Sequence, residues 1–305
     1  MKHRFFYKIY GLSVISDIYI QQAYECEELT DADVEISYGK VPEFLREAGR
    51  KGYGTWTNGF TDAWFQTPGA AQFYVQNGRE IVVEPEEDGN VELICSMILS
   101  AGFSLILLQR NEPVLHGSAI EKDGQAFIVC GESGAGKSSI TMELLKADVG
   151  FLADDTVRVH MVDGQAVAEP TYPQQKVCRD MALQNGLKLE KLRYIDEQRD
   201  KFALMRREQF VPHPVLLKRI VILKKSKDIQ EVTSRVYRGK DYLDALVNNL
   251  YLADTYKRNV GVPVQMMQQF IMMAGQVEVY EVCRPSEGDS VGAVMEKLYQ
   301  IFQFC

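Results

Sequence analysis

The sequence predicts an α/β fold in two parts: a β-rich lobe with one apolar helix over residues 1–110, then a larger domain over 111–305. Three observations carry this. The first ~90 residues hold alternating and β-branched runs, the pattern of half-buried strands. An apolar run at 125–130 leads straight into a glycine-rich loop at 131–138, and helical spacing resumes at Ile140, Leu144 and Leu145. Beyond residue 219, strand and helix patterns alternate, as they do when helices pack on a sheet.

In the lobe, 5–10, 33–38 and 73–85 read as strands. Asn77-Gly78 breaks the last of these into a hairpin, because Asn and Gly both accept positive φ. Trp56, Phe60, Trp64 and Phe65 sit in a Gly/Thr-punctuated stretch and read as lobe core, with a peptide-docking surface as the alternative. Residues 93–108 carry no charge. The run falls short of the ~20 residues of a membrane span and includes serines and a glycine, so a buried core helix within 91–109 is expected.

The second part opens with a hairpin that turns at Asp123-Gly124, its second strand apolar enough to be buried. A short apolar strand at 149–153 ends on Asp154-Asp155, and Asp163-Gly164 turns a further hairpin. Residues 220–223 and 277–282 read as strands, 241–256 and 264–274 as helices, and 291–302 as a closing amphipathic helix.

Composition excludes some classes of function. The 46% hydrophobic and 25% charged content is that of a globular chain. The net charge of −8 argues against a nucleic-acid partner, which needs a basic stripe. Six cysteines form no C-x-x-C pair and four histidines are scattered, so neither a zinc site nor a disulfide framework is expected. Reduced thiols suit a cytoplasmic location. The basic start, Met1 to Lys8, lacks the long apolar run of a secretory signal. No membrane partner is expected, and homo-oligomerisation is left open.

The loop carries the chemistry. Gly131-Glu132-Ser133-Gly134-Ala135-Gly136-Lys137-Ser138 matches G-x-x-x-x-G-K-[ST], with strand before and helix after. Glycines let successive N–H groups curl around phosphate, and the helix N-terminus adds free donors. ATP and Mg²⁺ are the ligands this pattern implies, held by residues 131–138 together with Ser139. Lys137 is placed to neutralise the β- and γ-phosphates and Ser138 to ligate Mg²⁺. Asp155 follows Lys137 by 18 residues. Two adjacent acids allow a split of labour, one beside the metal and the other accepting the proton of an attacking hydroxyl. His116, just before the buried strand, admits a structural or an active-site role.

Three motifs together resemble the catalytic domain of HPr kinase/phosphorylase: Leu115-His116-Gly117-Ser118, residues 131–139, and Leu152-Ala153-Asp154-Asp155. The resemblance is specific over residues 113–160. It implies a P-loop kinase core like that of phosphoenolpyruvate carboxykinase, with a mixed sheet. It also implies that His116, Lys137 and Asp155 are catalytic, Asp155 as the base that deprotonates a serine hydroxyl. With Asp155 in that role, Asp154 is the expected metal ligand with Ser138. The family's glycine-rich segment after the double Asp, with its metal-binding Glu and its link to phosphorolysis, has no counterpart in 165–200; Asp180 stands at roughly that distance. The first 110 residues do not resemble that family's regulatory domain. Tyr10-Gly11-Leu12-Ser13-Val14-Ile15-Ser16-Asp17, residues 173–179 and Arg199-Asp200-Lys201-Phe202 instead resemble HPr-kinase-like proteins found beside lasso-peptide biosynthesis enzymes. There the acceptor is the C-terminal serine of a precursor peptide. Arg179 and Lys201 are the implied phosphate or carboxylate contacts, with solvated loop charges as the alternative. The expected function is therefore an ATP-dependent serine kinase with a precursor peptide as partner. A bifunctional HPr kinase/phosphorylase, a free-serine kinase and a nucleotide-binding regulator without transfer are the alternatives.

Overall fold

The structure, a computed structural model, describes residues 3–50, 55–58, 61–196, 200–251 and 261–304. Among these, the first 85 residues build one eight-stranded sheet: β1 (Phe5–Ile9), β2 (Leu12–Ser16), β3 (Tyr24–Glu25), β4 (Val34–Tyr38), β5 (Thr55–Asn58), β6 (Asp62–Thr67), β7 (Ala71–Gln76) and β8 (Glu80–Pro85). The strands lie in the order β3-β1-β2-β4-β8-β7-β6-β5, antiparallel except where β4 runs parallel to β2 and β8. Asn77 (φ 56°) and Gly78 (φ 62°) turn the β7–β8 hairpin as the sequence predicts. Tyr10 (φ 53°) and Gly11 (φ 74°) turn β1 into β2 in the same way. Trp64 and Phe65 are buried, Phe65 stacked on Phe73 at 4.5 Å between centroids, so these two serve as core. Phe60 and the Trp56 side chain lie outside what is described.

Helix α1 (Glu43–Arg50) follows β4. A longer helical stretch follows the sheet: α2 (Val91–Met97), a π-helical turn (Ile98–Gly102) and α3 (Phe103–Gln109). The Asn90 side chain caps it, accepting from the N–H groups of Glu92 and Leu93. By length and composition Val91–Gln109 passes for a membrane span, but 78% of its most apolar window is buried inside the protein, the expected core helix.

The second sheet has nine strands among the described residues. They are β9 (Val114–Leu115), β10 (Gly117–Lys122), β11 (Gln125–Gly131), β12 (Gly150–Ala153), β13 (Val157–Val162), β14 (Gln165–Ala168), β18 (Val215–Ser226), β19 (Thr233–Val236) and β20 (Glu278–Pro285). Between β14 and β18 the chain makes a three-stranded sheet, β15 (Gln174–Cys178), β16 (Arg193–Asp196) and β17 (Lys201–Met205). The large sheet is mixed: β18 runs parallel to β11 and β20, while β10 runs antiparallel to β11 and β12. Successive side chains of β11 point to opposite faces. Phe127 and Val129 join α4 (Lys137–Leu144) and the C-terminal helix Val291–Phe302 in one core. Ala126, Ile128 and Cys130 join a core that continues into the helix 91–109 and the first sheet. The molecule is thus a mixed α/β fold with several sheets, two of them mixed. The predicted helix 241–256 is observed as Gly239–Asn248, and its end from 252 lies outside the described residues.

Candidate active site

β11 runs into the glycine-rich loop at Gly131. Its φ of 139° and its place under the Leu223 backbone exclude a side chain, since a Cβ there would lie 2.4 Å from the Leu223 carbonyl oxygen. The loop turns through 132–136, and Lys137 opens α4 with Gly136 as the N-cap residue. The Lys137 ammonium folds back on the loop, donating to the carbonyls of Gly131 (2.7 Å) and Glu132 (3.2 Å). Burial lowers its pKa from the ordinary lysine value.

β12 delivers the two aspartates to the same end of the sheet. Asp154 is 3% exposed. Its Oδ1 accepts from the Ser118 hydroxyl at 2.6 Å and its Oδ2 from the Lys176 backbone N–H at 2.8 Å. Burial raises its pKa. Asp155 sits in the left-handed region at φ 71°. Its Oδ2 lies 2.9 Å from the Lys176 ammonium and its Oδ1 3.6 Å from His116 Nδ1. Burial alone would raise the Asp155 carboxyl, but the Lys176 ammonium, followed by His116, holds it well below the usual carboxylate range. Lys176 is raised in turn: burial would lower it, and the Asp155 carboxylate overcomes that.

The Asp155 carbonyl accepts from the Gly117 N–H at 3.2 Å and lies 2.9 Å from His116 Nδ1. A carbonyl only accepts, so this contact assigns the imidazole proton to Nδ1. Burial, then the nearby Lys137 ammonium, lowers the His116 pKa from the ordinary histidine value.

A cavity of about 760 Å³ opens over the loop, a size that suits a nucleotide-scale ligand. His116, Ser133, Gly134, Gly136, Lys137, Ser138, Ser139, Asp154, Asp155 and Lys201 all line it. Gly131 and Glu132 face an adjoining cleft of about 410 Å³, and Ala135 is buried beneath the loop. Arg179 does not line the main cavity. It holds Asp200 in a two-pronged ion pair (2.7 and 2.8 Å) and stacks over Phe202. Asp180, exposed in the first turn of the short helix Arg179–Gln184, does not line it either. Sequence reasoning missed Lys176, Ser118 and Arg284. Arg284 comes from the end of β20 and donates from Nε to the Ala135 carbonyl at 3.0 Å. Ser118 closes the 115–118 motif but has no assigned role there, and neither Lys176 nor Arg284 carries a motif; the place of Lys176 opposite the aspartates exists only in the fold.

Among the described residues, no group of three or more His, Cys, Asp or Glu side chains is placed to hold a metal by itself. The Ser138 hydroxyl and the Asp154 carboxylate both line the cavity and are oxygen donors of the kind Mg²⁺ takes, though Asp154 already accepts from Ser118 and the Lys176 N–H. That ion prefers hard oxygens, keeps several waters and takes substrate phosphates as ligands in place of a protein cage.

No family model matches the chain. Curated relatives are named HPr kinase/phosphorylase. That of Nitrosomonas europaea is 31% identical over 109 residues, 32% of this chain and 33% of the relative. That of Lactobacillus johnsonii is 28% identical over 110 residues, 33% and 34%. That of Clostridium beijerinckii is 38% identical over 56 residues, 18% of each. The chain therefore aligns with about a third or less of the length of these relatives. Among solved structures, the HPr(Ser) kinase/phosphatase from Coxiella burnetii matches over 62% of this chain and 97% of its own, at 9% identity and a TM-score of 0.32.

Proposed function

We propose that this chain is an ATP-dependent kinase that transfers a phosphoryl group to a serine hydroxyl, the acceptor being the C-terminal serine of a short precursor peptide. The reading rests on one observation: the glycine-rich loop with Lys137 and the ionised Asp155 share a single cavity. A nucleotide sensor needs only the loop. A carboxylate held ionised beside it is what transfer to an alcohol requires.

On this reading the loop N–H groups and Lys137 hold the phosphates, Lys137 exchanging the Gly131 and Glu132 carbonyls for phosphate oxygens. Ser138 and Asp154 hold Mg²⁺, which neutralises charge on the phosphates. Asp155 has one oxygen engaged by Lys176, which leaves Oδ1 to orient the incoming hydroxyl and take its proton. A carboxylate with so depressed a pKa is a weak base. That suits a loose phosphoryl transfer, where the proton leaves late. His116, tied to the Asp155 carbonyl, lines the same space. Lys201 lines the cavity and makes no ion pair with another described residue, which suits a peptide carboxylate; Arg179 is already occupied by Asp200. The phosphoenolpyruvate-carboxykinase-like core, the division at residue 110 and a cytoplasmic setting belong to the same proposal.

The relatives' names favour a second reading, a kinase and phosphorylase of HPr. Intact-mass spectrometry separates the two: the chain is incubated with Mg-ATP and, in turn, a serine-ending precursor peptide, HPr and free serine. One added phosphate on the peptide alone is expected, with no pyrophosphate formed when the product meets inorganic phosphate. Transfer to HPr with phosphorolysis establishes the second reading instead.

A further inference from the structure

Three unusual backbone features meet behind the aspartates. Asp155 holds a positive φ of 71°, and Tyr10 holds one of 53° in the β1–β2 turn. Leu99 lies in a π-helical turn inside the apolar helix. Asp enters the left-handed region more readily than most side chains, but an aromatic residue does so only against its preference, so tertiary contacts must hold Tyr10 in place. One side chain links all three. The Tyr10 hydroxyl donates to the Leu99 carbonyl at 2.8 Å and meets the hydroxyl of Thr156, the residue after Asp155. Tyr10 and Thr156 are both fully buried.

The turn that carries Tyr10 is pinned to the second sheet on its other sides. Arg158 Nη1 donates to the Tyr10 carbonyl at 2.6 Å, and Arg158 Nε is paired with Glu112. The Tyr10 ring stacks on Phe103 at 5.5 Å between centroids. Gly11 lies against Glu169, where a Cβ would come within 2.4 Å of the carboxylate, and His160 fixes that carboxylate at 2.8 Å. The first sheet thus places a rigid hydroxyl on the residue that follows Asp155. A π-helical turn is an irregularity that recurs where a helix is adapted to a local task, and here it lies at the carbonyl that orients this hydroxyl.

We propose that Tyr10 is a positioning residue for Asp155, acting through Thr156, and that this is what the N-terminal sheet contributes to the site. The proposal rests on the kinase reading above for its rate consequence, but its structural arm stands without it. Removing the hydroxyl leaves the ring, the fold and the nucleotide loop intact and releases the Asp155 segment.

The test is a double-mutant cycle with Tyr10→Phe, Thr156→Val and both together. Each single variant should lower kcat about tenfold, the scale of a small misplacement of a reacting group, and leave KM for ATP within twofold. The double variant should lose no more than either single, because both remove the same contact. Hydrogen–deuterium exchange needs no activity: Tyr10→Phe should raise exchange selectively at 154–157 and leave the loop 131–138 unchanged. Unchanged exchange at 154–157, a rise spread evenly over the chain, or additive losses in the double variant would each overturn the proposal. A wild-type chain that phosphorylates none of the three acceptors would instead sink the kinase reading, and the exchange experiment would still decide the role of Tyr10.

Discussion

The Lys176 ammonium lies 2.9 Å from Asp155 Oδ2, with the two side chains only 13% and 20% exposed, while the Lys176 backbone N–H serves Asp154. One residue therefore fixes both aspartates. Lys176→Met should strand a carboxylate with little solvent to replace its partner, at a cost on the order of 3 kcal/mol in stability. Transfer should fall at least tenfold, and Lys176→Arg should recover part of both losses. Thermal unfolding and steady-state rates read this directly. A Lys176→Met protein with wild-type melting and turnover would show that the pair is idle.

Lys137 and Ser138 should separate fold from chemistry. Lys137 bonds only to loop carbonyls in this structure, so Lys137→Ala removes no core contact and should leave melting within a degree or two. It should abolish transfer, because backbone donors cannot supply its point charge to the phosphates. Ser138→Ala should raise the Mg²⁺ concentration needed for half-maximal rate several-fold, and EDTA should stop the wild type. Turnover that continues in EDTA would exclude the metal from the site.

Much of this was legible beforehand, and the rest was hidden for physical reasons. The loop, the aspartates and His116 announce themselves because phosphate and proton chemistry need particular residues at short spacing. Asn77-Gly78, Asp123-Gly124 and Asp163-Gly164 mark their turns because Asn, Asp and Gly tolerate positive φ; all six residues have it. Tyr10 has it too, against its own preference, and no local rule picks out an aromatic there. Arg284 reaches the loop because β20 pairs with β18 and β18 with β11; Lys176 comes from a separate three-stranded sheet, and only tertiary packing sets it on the aspartates. Arg179 shows the converse limit: its charge is visible in the sequence, but its capture by Asp200 is not.

Acid should expose the network around Glu281. Its carboxylate pairs with Arg235 (2.9 Å) and Lys224 (2.8 Å) and accepts from the Tyr237 hydroxyl at 2.5 Å. Burial opposes ionisation, but these partners bring its pKa down to about 2. A depressed folded-state pKa stabilises the fold above the ordinary carboxyl value, and that contribution is lost as pH falls from about 4.5 towards 2. Arg235 and Lys224 are well exposed, so screening leaves roughly 1–2 kcal/mol. Glu281→Gln should lose that much at pH 7 and show a flatter decline of stability in acid. Parallel stability curves for the two proteins would contradict it.

The measurement closest to the central claim is rapid-quench transfer from Mg-ATP to a serine-ending peptide by wild type and Asp155→Asn, alongside ATP binding by both. The substitution keeps size and much of the hydrogen bonding but removes the base. ATP affinity should stay within a few-fold while the rate drops ~10²-fold, the lower part of the range for general-base catalysis because the transfer is loose. An Asp155→Asn protein that transfers phosphate at the wild-type rate would contradict the mechanism outright.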